Sequence, residues 1–118
     1  MTEITDQVWL GSYADVINGS FLKERRITHI LCCADEIPLI VGFPYSNNLE
    51  GRRVTGITWA QDAAETINQW VSEGKEVMVY CNDGLGLSAS AVIEYLITYK
   101  KCSYRLAYDH INLRRNIR

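Results

Sequence analysis

Two short apolar runs limit what this chain can become. Ile27-Thr-His-Ile-Leu-Cys-Cys-Ala34 is nearly continuous in apolar and β-branched residues, and Glu76-Val-Met-Val-Tyr80 repeats the pattern. Runs this short, without polar alternation, read as strands buried on both faces, the situation of a parallel sheet covered by helices on each side. The intervening and following stretches supply those helices. In Thr58 to Glu73 the residues Ala60, Ala63, Ala64, Ile67, Trp70 and Val71 recur at helical spacing, with Gly74 placed to end the element.

The rest of the chain fits the same plan. Ile4 to Leu10 predicts one or two strands ending at Gly11, and Ser12 to Arg26 a helical stretch broken at Asn18-Gly19. Ser88 to Lys100 predicts a helix capped by Ser88, and Ser103 to Leu113 a last one. Between Asp35 and Ile57 the pattern dissolves among Pro38, Gly42, Pro44 and Gly51, with a strand near Leu39 to Val41. Strands alternating with helices predict one α/β domain over residues 1–118, built on a mostly parallel twisted sheet of about five strands flanked by helices.

Composition narrows the function. With 12 Lys plus Arg against 14 Asp plus Glu, a net charge of −2 argues against nucleic acid or an anionic membrane as partner. Four cysteines in 118 residues, with no CxxC pair, imply reduced thiols, with neither a disulfide framework nor a metal site. The N-terminus lacks a signal-peptide pattern and no run is long enough to span a membrane, so the expectation is a cytoplasmic, monomeric protein without cofactor.

The chemistry concentrates after Tyr80. A strand, a glycine-bearing loop and a helix N-terminus form an anion cradle, because loop amides and the orphan N–H groups of the first helical turn converge on one point. That point faces Cys81, whose thiolate the same amides would favour. The loop Asn82, Asp83, Gly84, Leu85, Gly86, Leu87 closes on Ser88, with Gly84 and Gly86 supplying the curl.

Cys81-Asn-Asp-Gly-Leu-Gly-Leu87-Ser88 resembles the His-Cys-x-x-Gly-x-x-Arg-Ser/Thr signature of protein tyrosine phosphatases. Ile4 to Ser12 and Phe21 to Leu31 are similar to the opening of a compact dual-specificity phosphatase domain. The resemblance implies the cysteine-based phosphatase fold, with Cys81 as nucleophile, Ser88 helping that thiol leave, and residues 82–87 as the phosphate loop.

It also implies a defect. Tyr80 stands where the family has histidine, and Leu87 where it has the arginine that grips two phosphoryl oxygens as a planar fork. Losing one transition-state donor costs about 3 to 4 kcal/mol, and losing a catalytic arginine roughly a thousandfold or more. Asp83 would further repel a dianion. No arginine lies between Arg53 and Arg105.

The family's general acid lies about thirty residues before the cysteine. Here that count reaches Glu50, in Asn47-Asn-Leu-Glu-Gly51, with Asp62 as second candidate and solvated loop charge as the plain alternative. Arg52 and Arg53 are either solvated loop charges or a replacement cation swung over the pocket. Cys32 and Cys33 read as core residues, and Tyr104 and Tyr108 as sharing a helix face that could meet a partner.

Together these readings point to a pseudophosphatase that binds a phosphoprotein or signalling protein. The first alternative is a low-activity cysteine-dependent phosphatase working through a phosphocysteine at Cys81. A rhodanese-like sulfur carrier is the third.

Overall fold

In a computed structural model, described over residues 2–17, 19–39, 49–82 and 86–114, ten elements follow one another along the chain. They are β1 (Thr2–Thr5), β2 (Val8–Ser12), α1 (Tyr13–Val16), α2 (Gly19–Glu24), β3 (His29–Cys32), β4 (Glu50–Arg53), α3 (Trp59–Ser72), β5 (Val77–Cys81), α4 (Leu87–Tyr99) and α5 (Tyr104–Arg114). The five strands form one sheet in the order β1-β2-β5-β3-β4. Only β1 runs antiparallel, paired with β2 through a turn in which Gln7 takes φ 72.

The two apolar runs become the middle of that sheet. All four residues of β3 and all five of β5 are buried, as strands with helices on both faces must be. On one face α3, α4 and α5 pack over Leu10, Leu31, Val77 and Val79. On the other, Val16 and Leu22 from α1 and α2 cover Ile30, Met78 and Tyr80.

Local chemistry sets the element ends. Ser12 forms a capping box with Asp15: its side chain accepts from the Asp15 amide, and the Asp15 carboxylate accepts from the Ser12 amide. Gly74 ends α3 with φ +79, a conformation that a side chain resists. A Cβ on Gly11 would meet Met78 Sδ at 3.0 Å and the Asp15 carboxylate at 3.1 Å, so a side chain there would have to push the Met78 thioether aside.

Two expectations change. The irregular stretch contains a strand, β4, that the sequence reading missed, and it pairs in parallel with β3 from His29↔Glu50 to Cys32↔Arg53. Ser88 does not cap α4; the helix starts one residue earlier, with Gly86 at the cap, and Ser88 is fully buried inside the first turn. The strand expected near Leu39 to Val41 falls largely outside the described residues, as do Asp83, Gly84 and Leu85 of the loop.

Candidate functional site at the C-terminal edge of the sheet

Strands β2 and β5 are neighbours whose chains leave in opposite directions, β2 into α1 on one face and β5 into α4 on the other. At such a switch point a crevice opens beyond the carboxyl ends of the strands, where open α/β sheets bind ligands. Cys81, the last residue of β5, sits there, level with Ser12 of β2. The Tyr13 amide donates to Asn82 O at 3.2 Å, tying the first turn of α1 to the residue that follows the cysteine.

The structure brings Cys81 and Ser88 together. Cys81 Sγ and Ser88 Oγ are 3.1 Å apart, with the thiol 3% exposed and the hydroxyl wholly buried. This buried pair lies at the carboxyl end of β5, beneath the first turn of α4, and is called the floor below. Cys33 lies beside it, its amide donating to Tyr80 O at 2.9 Å. Burial pushes the Cys33 thiol upward, and the neighbouring Cys81 and Cys32 push it further, so Cys33 stays protonated through the neutral range.

Leu87, first residue of α4, is 44% exposed at the rim. It borders a cavity of about 170 Å³ with Cys33, Asp35, Glu36, Thr55 and Trp59. Tyr80, which precedes the cysteine, is fully buried and donates its hydroxyl to Pro38 O at 2.9 Å. It anchors the segment after β3 from behind the crevice.

Neither acid candidate lines the cavity beside Leu87. Glu50 opens β4 and is level with His29 and Val77, at the opposite end of the sheet from Cys81. Four strand residues separate those levels, about 13 Å at about 3.3 Å per residue. The Glu50 carboxylate instead accepts from His29 Nε2 at 2.7 Å. Asp62 accepts from Thr58 Oγ1 at 3.0 Å and lines a separate groove beside α3, with Arg52 and Glu65. The carboxylates that do border the Leu87 cavity are Asp35 and Glu36. Their signal in the sequence was position alone, directly beyond the end of a central strand.

The two early arginines are not free either. Arg53 donates to the carbonyls of Ala34 and Ile37, the latter at 2.8 Å, pinning the turn that carries Asp35 and Glu36. Arg52 donates to Thr66 Oγ1 at 3.2 Å and lies over the Trp70 ring at 5.5 Å from its centroid. Both are structural clamps of β4, and neither swings over the pocket.

A dual specificity phosphatase catalytic domain profile matches residues 8–118. The chain belongs to the dual specificity phosphatase family. It is 29% identical over 114 residues to MAP kinase phosphatase with leucine-rich repeats protein 1 of Dictyostelium discoideum, covering 90% of this chain and 13% of that protein. With dual specificity protein phosphatase 1B of Arabidopsis thaliana it shares 28% identity over 120 residues, 98% of this chain and 72% of the relative. The first of these relatives is thus far longer than the matched segment.

Among solved structures, human DUSP28 superposes with a TM-score of 0.82 at 17% identity, over 98% of this chain and 81% of that one, a likeness of fold. The human tyrosine phosphatase-like serine/threonine/tyrosine-interacting protein superposes with a TM-score of 0.78 at 25% identity, over 98% and 83% of the two chains. Among the described residues no group of His, Cys, Asp and Glu is arranged to hold a metal ion, and no helix is long and apolar enough to cross a membrane.

Proposed function

We propose that this domain is a catalytically impaired member of its family, a pseudophosphatase that acts by binding a phosphorylated or signalling partner as a monomer. The observation that carries the reading is Leu87. An exposed leucine opens the helix whose first turn faces Cys81, at the place the signature gives to arginine. A leucine can neither donate to phosphoryl oxygens nor follow charge into a transition state. The position of Glu50, held by His29 at the far end of the sheet, adds to this by removing the first general-acid candidate. One structural relative is a tyrosine phosphatase-like interacting protein, which agrees with a binding role.

The 3.1 Å approach of Cys81 and Ser88 favours a second reading, a weak phosphatase that still forms and resolves a phosphocysteine. Hydrolysis of a small aryl phosphate by wild type, Cys81→Ser and Leu87→Arg separates the two. The pseudophosphatase reading expects no turnover from wild type above the Cys81→Ser background. Robust wild-type turnover that disappears in Cys81→Ser overturns it. Activity gained in Leu87→Arg would trace the defect to the lost clamp alone, whereas continued inactivity would implicate Tyr80, Asp83 or the missing acid as well.

A further inference from the structure

Resting on the binding role just proposed, we infer that the rim of the crevice docks an unphosphorylated basic peptide segment carrying an aliphatic anchor residue. The rim has the wrong character for an anion. Its cavity of about 170 Å³ is bordered by Leu87, Trp59 and the carboxylate-bearing residues Asp35 and Glu36, and no Lys or Arg among the described residues lines it. The nearest cation in the sequence of these segments, Arg53, is turned to the Ala34 and Ile37 carbonyls and lines the separate groove beside α3. A phosphoryl dianion entering here would meet two negative charges and, among the described residues, no donor fork.

The same surface suits the opposite charge. Ile57 projects entirely into solvent, at 101% exposure, from the turn between Gly56 and Trp59, and Leu87 is 44% exposed. Ile57 contributes nothing to folding stability while it remains in water, and Leu87 leaves nearly half of its surface there, so each gains on being covered. A partner's aliphatic side chain seated between Leu87 and Trp59 would cover them. Flanking lysines or arginines would then reach Asp35 and Glu36, both exposed on the adjoining turn, and the indole of Trp59 offers a face to a cation. Charge complementarity thus selects a basic segment over a phosphorylated one.

The test is fluorescence anisotropy with a labelled Arg-Lys-Leu-Leu-Arg-Lys peptide, an equivalent in which glutamate replaces each basic residue, and a phosphotyrosine peptide. The basic probe is expected to bind at least about tenfold more tightly than either other peptide, weakening as salt rises. The double variant Asp35→Lys/Glu36→Lys should lose about tenfold or more, and Ile57→Ser about threefold, with thermal melts confirming that both are folded. Leu106→Ser on α5, which alters the separate apolar groove beside His110, should leave binding unchanged.

Equal binding of the three peptides, indifference to the charge reversal, or loss confined to Leu106→Ser overturns the inference. Preferential binding of the phosphopeptide also overturns it, yet leaves the pseudophosphatase reading standing. Wild-type hydrolysis of an aryl phosphate overturns that reading independently of any peptide result.

Discussion

The floor and the rim of the crevice have different physical origins. The floor is Cys81 and Ser88, closed off from solvent by the central strand and the helix that follows it. A change of size there would disturb the packing of β5 against α4. The rim is Leu87, Asp35 and Glu36, with Ile57 next to it on the turn after Gly56, all exposed side chains at element ends or in turns. Asp35, Glu36 and Ile57 leave the core untouched, and Leu87 is only half covered. A domain can therefore keep the floor of an enzyme because folding requires it, while the rim, free of that constraint, changes charge and polarity.

The largest test of this contrast lies just behind the floor. Tyr80→Ala should destabilise the domain by about 3 to 5 kcal/mol in chemical denaturation, through the cavity it opens and the lost bond to Pro38. A loss below about 1 kcal/mol would remove the distinction between floor and rim. Next, Arg53→Ala should cost about 1.5 to 3 kcal/mol, because a charged donor to two carbonyls is withdrawn. Amide exchange in the 35–38 turn should quicken in the same variant, and unchanged exchange would show that Arg53 does not hold the rim in place.

A third test uses pH. The unfolded Cys33 thiol ionises near its ordinary value of 9.0, whereas burial and the neighbouring thiols hold the folded one protonated well above it. The native state therefore keeps the proton longer. Its contribution to stability is complete below that pH and declines as pH rises past it, by about 1.4 kcal/mol per unit. Denaturation curves above pH 9.0 should fall less steeply for Cys33→Ala than for wild type, and parallel slopes would place Cys33 nearer to solvent than the structure does. The smallest effect is expected at the rim, where Ile57→Thr should change stability by less than about 0.5 kcal/mol.

Much of this architecture was readable from local pattern. Unbroken apolar runs marked β3 and β5, helical spacing marked α3, and the glycine loop after Tyr80 pointed to the candidate site. The failures share a cause. β4 is Glu-Gly-Arg-Arg, a polar edge strand with no alternation of its own, and it exists because β3 offers an unpaired side. Glu50 was assigned by counting residues, and counting cannot register that a strand begins there and carries it to the wrong end of the sheet. Ser88 looked like a cap by type, but its hydroxyl turns inward to Cys81.

The sequence by itself determined the two buried strands, the helix that follows β5, and the leucine at position 87, because apolar periodicity and residue identity are local properties. Only the tertiary structure decided which carboxylates stand at the mouth and that Arg52 and Arg53 are clamps. Those facts depend on strand register and on partners far along the chain: His29 against Glu50, Arg53 against Ala34, Tyr80 against Pro38. Long-range pairing of this kind follows from the packing of the whole domain, which no window of neighbouring residues contains.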